Sequence, residues 1–429
     1  MNTTPYDTAS GHCDTIFVAR QAIFNTKMDI LGYELLYRNA STAATAKFTD
    51  GNIATSKMIA DGVALARCGV PLDKKIFINF TMNLIEEEFG FALNPNESVI
   101  EILETVEPTP NVIRALSKLK KAGYTLAVDD YDGREHFAPL LELADIIKVD
   151  MLNTPMEAII RLRERITNPS VQLLAEKVED MPMFQSAVEH GFTLFQGFFF
   201  RKPEIIAGKT ISAGHLAKVN LIRELSDENY DDRSLSDLIK NDLSLAYKLL
   251  RYVNSALFGR KEHVDSIRHA IAILGQRHFV KWLQAVLLSN INTTSKGMEV
   301  MALSLSRANF MESIGPALGL TGGTADTLFI LGLFSLLDSL LGVPMQEITN
   351  SLPLEALLKE ALLGEDNDLG RLLTVAKNLE AGEWGALEHC LTQLGISGTD
   401  AAEAYRAALI RTGCLMQAQQ HGQTASVPA

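Results

Sequence analysis

The chain has 429 residues, 47% of them hydrophobic and 21% charged, which is globular composition spread over more length than one ordinary core can use. Its 52 acidic residues against 39 basic ones give a net charge of −13 with no basic stripe, which argues against general binding of nucleic-acid polymers. Cys13, Cys68, Cys390 and Cys414 are scattered without a CxxC pair, and the start "MNTTPYDTASGHCDT" has no secretory pattern, so a cytoplasmic chain with reduced thiols is expected. The most apolar segment, "LFILGLFSLL", stops at Asp338 and is too short to span a bilayer, so no membrane insertion is expected.

Up to about Pro203, short apolar runs alternate with helix-like stretches. "TIFVARQAIF", "KKIFINF", "SVIEILE", "YTLAVDD", "IIKVD", "VQLLAEKV" and "TLFQGFFF" are brief and rich in Val, Ile, Leu and Phe, as strands buried on both faces are. Between them lie segments such as "NVIRALSKLKKAG", with apolar residues at i, i+3 and i+4 and a glycine stop. Repeated βα units imply a parallel sheet, and seven or eight of them in this length suit a (β/α)8 TIM-like barrel better than a doubly wound sheet. After "RKPEIIAGKTISAG" the strand signals vanish. "RSLSDLIKNDLSLAYKLLRYVNSALFG" places Leu235, Leu238 and Ile239 on one stripe and Leu245, Leu249, Leu250 and Val253 on another, and "DSIRHAIAILG" runs from a candidate N-cap, Asp265, to a stop at Gly275. An α/β barrel over residues 16–205 followed by an all-α domain over 206–412 is therefore expected, with residues 1–15 and 415–429 as flexible termini.

In a barrel, the C-terminal ends of the strands converge on one mouth. Those ends carry Glu34 in "YELLYR", Asn79 in "FINF", Glu101 in "VIEILE", Asp129 and Asp130 in "AVDD", Lys148 in "IIKVD", Glu176 in "LLAEKV" and Gln196 in "LFQG". Five carboxylates in one cavity cannot all stay ionised without cations, and an Asp/Glu/Asn set suits Mg²⁺ or Mn²⁺ better than zinc. A shared Asp could bridge two ions roughly 3.5–4 Å apart, a spacing that suits attack of water on a phosphodiester. Each residue also has a plainer role open to it: Asp130 as a helix cap, Lys148 as the partner of Asp150, Asn79 as a turn residue. The recurrence of a polar residue at strand after strand favours the site.

The same residues resemble a known family. "ELL" with Arg38 following, "FINF", "EILE", "DDYDG", "KVD", "AEKVE" and "QGFFFRKP" are similar, in order and spacing, to the motifs of the EAL domain, a (β/α)8 phosphodiesterase of cyclic di-GMP signalling. The resemblance implies hydrolysis of cyclic di-GMP to linear pGpG at a two-metal site. Glu34, Asn79, Glu101 and Asp129 would hold one Mg²⁺ or Mn²⁺, and Asp129 and Asp130 the other, with Glu179 nearby. Lys148 would orient the attacking water and Glu176 would assist as a base or through the metal shell. Gln21, Arg38 and Gln196 would bind the dinucleotide, and Glu104 would anchor a loop.

Two departures stand out. Asp132 and Arg134 stand where the family carries glycines in the loop after the double Asp, and Lys177 replaces a glycine in "AEKVE", so weakened or differently regulated hydrolysis is expected.

The helical half resembles an HDOD domain through "DLSLAYKLLRYVNSALFG", "SIRHAIAILG", "RANFMESIG" and "LFILGLFSLLDSLLGVP". Its related HD enzymes use a histidine–aspartate metal pair. "GLFSLLDSLL" has no histidine, and His263, His269 and His278 lack i, i+4 spacing, so a non-catalytic regulatory module is expected. Asn254, Ser255 and Phe258 read as a turn and core contact. The tandem resemblance implies a protein partner for this half, and homo-oligomers are common among EAL domains. The alternatives to an enzyme are a silent cyclic di-GMP receptor and a protein scaffold.

Overall fold

The computed structural model describes residues 16–39, 67, 70, 73–131, 137–166, 168–197, 212–225, 243–254, 264 and 267–420. Eight strands close into one barrel in sequence order: β1 (Ile16–Asn25), β2 (Ile30–Asn39), β3 (Lys75–Phe80), β4 (Ser98–Ile102), β5 (Thr125–Val128), β6 (Ile146–Asp150), β7 (Gln172–Glu176) and β8 (Leu194–Phe195). From β2 to β8 every neighbour is parallel, but β1 runs antiparallel to both β2 and β8. The wholly parallel sheet expected from repeated βα units is corrected at this point. Only four residues separate β1 from β2, enough for a hairpin and far too few for a crossover helix.

Local signals explain the outer layer. Helix Pro110–Lys121 begins at Thr109, whose hydroxyl accepts from the Val112 amide at 3.3 Å, and buries Val112, Ala115, Leu116 and Leu119 on one face. Lys118, Lys120 and Lys121 lie in its last turn, where cations oppose the negative end of the helix dipole.

Strand alternation divides the barrel interior into two storeys. The lower one is apolar: Ile23, Phe77, Val99, Ala127, Ile146, Leu174 and Leu194 pack together. β2 contributes Gly32 at this level, because a Cβ there would come within 2.5 Å of the Lys75 carbonyl and 3.2 Å of the Phe77 ring. Two residues nearer the mouth, the same faces present the polar set described below.

The second half is helical. Its central helix, Ser295–Ile314, is buried on nearly every side and is flanked by Ala325–Phe334 and Gly398–Gln420. Gly275, with φ of 73°, ends helix Ile267–Leu274 and opens Gln276–Ser289. Asn254 ties the end of helix Leu243–Val253 to Val264: its carboxamide donates to the carbonyls of Leu250 (2.8 Å) and Val264 (2.7 Å) and accepts from the Val264 amide at 2.7 Å. Ser255, Phe258, His263, Asp265 and the stripe from Leu235 to Ile239 lie outside the described residues. The last helix runs to Gln420, so residues 415–420, expected as frayed chain, belong to it. Burial of Leu415 and Met416 accounts for the extension.

Among the described residues, the helical core holds a fully buried ion pair between Arg307 and Glu380. Arg307 Nε and Nη2 donate to Glu380 at 3.0 and 2.7 Å, and Nη1 donates to Ser335 Oγ at 3.0 Å. Glu380→Ala would strand a buried guanidinium, and we expect a loss of roughly 3–5 kcal/mol in a urea titration of the full chain. A change within 1 kcal/mol would show the pair to be dispensable.

Candidate active site

Each barrel strand, or the residue just beyond its end, sends one polar side chain into the mouth: Gln21, Glu34, Asn79, Glu101, Asp129, Lys148, Glu176 and Gln196. The register explains the gathering, since Gln21 lies opposite Glu34, Asn79 opposite Glu101, and Glu101 opposite Ala127, two residues before Asp129.

Lys148 is the hub and is only 1% exposed. Its ammonium contacts Asp129 Oδ1 at 2.9 Å, Glu176 Oε1 at 2.8 Å and Glu34 Oε2 at 3.2 Å, and it also bonds Glu101. It does not use Asp150, the plainer partner suggested by sequence. Asp150 instead accepts from the amides of Leu152 and Asn153, from the Asn153 carboxamide and, at 2.5 Å, from Lys177. Gln196 ties the amide side of the ring, its Nε2 donating to Gln21 Oε1 at 2.9 Å and Glu34 Oε2 at 2.7 Å, and Asn79 Nδ2 reaches Glu34 Oε1 at 3.4 Å.

Carboxyl oxygens of Asp129, Asp130 and Glu176 all lie within 4.8 Å of one another, close enough that the three could share a metal ion. Glu34 and Glu101 join the three through Lys148. Buried oxygens Glu101 Oε2 and Gln196 Oε1 have no hydrogen-bond partner among the described residues. An all-oxygen set with unspent acceptors fits hard divalent ions.

The remaining candidates stand apart from this ring. Glu179 is exposed beyond β7, and Glu104 is half-buried in the turn after β4. Arg38 pairs with Phe17 in the β1–β2 ladder, but its side chain, like Asp132, Gly133 and Arg134, lies outside the described residues.

The electrostatics follow from five carboxylates around one ammonium. Burial pushes the Glu101 carboxyl well up, Glu34 adds to the shift and Lys148 opposes it. Burial also lifts Glu176, helped by Asp129 and opposed by Lys148, to about 8. Burial works against the Lys148 ammonium, yet Asp129, Glu101, Glu176 and Glu34 outweigh it and hold the proton more tightly than usual. Asp130 is raised by burial and then by Asp129, with Lys177 and Lys148 pulling it down. Asp130 (φ 41°) and Lys177 (φ 53°) both adopt left-handed backbone, a strain of about 1–2 kcal/mol each for a residue with a Cβ. Sequence reasoning gave Lys177 no partner; its bond to Asp150 joins the ends of two adjacent strands, β6 and β7.

An HDOD domain model matches residues 217–351. Cyclic di-GMP phosphodiesterase CdgJ of Vibrio cholerae is 33% identical over 398 residues, covering 90% of this chain and 90% of its own. YuxH of Bacillus subtilis is 33% identical over 401 residues, 91% of this chain and 95% of its own. The chain belongs to the EAL–HDOD family. Among solved structures, Klebsiella pneumoniae BlrP1 in a calcium/cyclic di-GMP complex is 21% identical, over 43% of this chain and 54% of that one, at a TM-score of 0.37. Bacillus subtilis YkuI, an EAL-domain protein in complex with cyclic di-GMP and calcium, is 20% identical over 62% and 72%, at 0.35. Both overlays are loose. No helix of the described EAL–HDOD chain is long and apolar enough to cross a membrane.

The raised Glu176 carboxyl gives a pH signature. Its folded value of about 8 exceeds the ordinary 4.5, so its stabilising share is complete below about 4.5 and is lost as pH rises through 8. With a chelator present, melting temperature should fall between pH 5 and pH 9, and Glu176→Gln should flatten that slope. Equal slopes in the two proteins would contradict the assignment.

Proposed function

We propose that the barrel half, residues 16–205, hydrolyses cyclic di-GMP to linear pGpG in the cytoplasm, and that the helical half, from 206 through the last helix, regulates it without catalysis. The observation that carries this reading is the convergence of five carboxylates and one buried lysine on a single mouth, in a chain that is 33% identical to a cyclic di-GMP phosphodiesterase along most of its length.

Two divalent cations, Mg²⁺ or Mn²⁺, would when bound balance the carboxylates and polarise the phosphodiester. Glu34, Asn79, Glu101 and Asp129 would hold one, and Asp129 and Asp130 the other, with Glu179 at the edge and Glu176 close by. Within that frame Lys148 donates to the attacking water and orients it toward phosphorus. Glu176 or Asp130, ionised once the cations are bound, would take the water's proton as the phosphorus–O3′ bond breaks. The departing 3′ oxygen would take a proton from solvent, leaving a 5′-phosphate and a 3′-hydroxyl on the linear product. Gln196 and Gln21, already bonded to each other, and Arg38 would hold the dinucleotide.

Purified chain incubated with cyclic di-GMP and Mn²⁺ should yield linear product, and Glu34→Ala should reduce turnover by at least about 100-fold, the scale set by losing one fixed charge-bearing group at a reacting centre. Binding without turnover in the natural chain would support the receptor reading instead, and absence of both would leave the scaffold.

One observation favours an enzyme tuned down: the Lys177 ammonium stands at the rim, where it opposes the rise in the Asp130 carboxyl. A unit charge several ångströms from a half-solvated site shifts divalent affinity by roughly three- to tenfold. Titration calorimetry should therefore show tighter Mn²⁺ binding in Lys177→Gly. Unchanged affinity would mean that Asp150 already cancels the lysine's field.

A further inference from the structure

The outer face of the β1–β2 hairpin is covered by the helical half. Tyr33 and Glu34 are consecutive in β2, so their side chains leave opposite faces of the strand. Glu34 enters the mouth. Tyr33 leaves the barrel, and its hydroxyl donates at 2.9 Å to Glu299 Oε2 on the Ser295–Ile314 helix, with both residues buried. The Arg20 guanidinium lies 5.1 Å from the centre of the Tyr33 ring, fixing the ring from the β1 side.

The neighbouring strand repeats the relation. Ala22 is opposite Tyr33 and Gln21 opposite Glu34, and Gln21, Ala22 and Phe24 share a small cleft with Glu299, Val300 and Leu303. Above and below this contact the hairpin is held again. Phe17 stacks on Trp384 with ring centres 5.9 Å apart, Leu36 closes against Gly382, where an added Cβ would come within 2.9 Å, and Ser295 Oγ donates to Asp29 at 3.3 Å. Both strands that supply Gln21 and Glu34 are thus backed by residues from the other half of the chain.

We infer that Glu299 is a positioning residue for the barrel mouth, acting through Tyr33, so that the seating of the Ser295–Ile314 helix sets where Glu34 and Gln21 stand. The inference rests on the reading of the mouth as the hydrolytic site. A buried carboxylate that accepts a phenol hydrogen bond in one geometry resists sliding, because displacement leaves it unsatisfied. Glu34 is the next residue along the strand and bonds both Lys148 and Gln196, so movement of Tyr33 is carried into the ring. A misplacement of about 1 Å at a reacting centre can cost on the order of 100-fold in rate.

The test uses the full chain as Tyr33→Phe, Glu299→Ala, Glu299→Gln and the Tyr33→Phe/Glu299→Ala double variant. Hydrolysis of cyclic di-GMP is read as kcat and KM, Mn²⁺ affinity by calorimetry, and hydrogen exchange of the backbone over residues 33–36 by mass spectrometry. We expect Tyr33→Phe and Glu299→Ala each to lower kcat by about tenfold or more, weaken Mn²⁺ binding and speed exchange at 33–36. The double variant should be no worse than the poorer single one, and Glu299→Gln, whose carboxamide oxygen still accepts the phenol, should restore exchange and most of kcat. The inference is overturned if Glu299→Ala lowers the melting temperature while exchange at 33–36, Mn²⁺ affinity and kcat stay unchanged, for the contact is then only glue. Should the natural chain fail to hydrolyse or bind cyclic di-GMP, the functional reading falls, and exchange and Mn²⁺ affinity still decide the positioning role.

Discussion

Everything in the barrel half answers to one electrostatic constraint: a buried ammonium, Lys148, shared among Glu34, Glu101, Asp129 and Glu176, with Asp130 beside them. One positive charge cannot balance the largely buried Glu34, Glu101, Asp129 and Glu176 with the half-buried Asp130 at their edge, so the mouth holds either protons or cations. The upward displacement of Glu101, Asp130 and Glu176 is the proton-bearing form of that statement. An apolar core of the same volume would be cheaper to fold, and such a cluster makes sense as machinery for handling charge.

The barrel is arranged to make the cluster possible. Parallel strands from β2 to β8 bring their C-terminal ends to one rim, and the antiparallel β1 delivers Gln21 to the same level from the opposite direction. The hairpin turn that reverses β1 also leaves its outer face to the helical half, whose central helix covers Tyr33 and Ala22. The two halves therefore share a wall, and that wall bears two of the ring's eight side chains.

Much of this was legible in the residue order. Polar residues recurring at the ends of apolar runs marked seven members of the ring, because barrel geometry turns strand ends into neighbours whatever their separation in sequence. Gln21, in the middle of β1, was indicated only by the family resemblance. The reversal of β1 was hidden, since an apolar run of ten residues reads the same in either direction and only the short spacer before Ile30 hints at a hairpin. The plainer pairing of Lys148 with Asp150 stayed open in the sequence for a related reason: Asp150 is two residues away, and strand alternation alone does not tell which nearby acid is spent elsewhere. Asp150 is committed to the turn at Leu152 and Asn153 and to Lys177. Tyr33 and Glu299 are 266 positions apart, and nothing local in either segment points to the other.

The two storeys of the barrel have separate occupations. Ile23, Phe77, Val99, Ala127, Ile146, Leu174 and Leu194 knit the cylinder shut and carry no reactive group. The storey above is furnished one side chain per strand, from positions scattered between 21 and 196, so no contiguous stretch of polypeptide owns the chemistry. Exchange of an upper tenant leaves the lower packing untouched, but loss of the shared ammonium of Lys148 would strand the carboxylates gathered around it. Within this architecture, closure of the cylinder and the handling of charge fall to different side chains of the same strands.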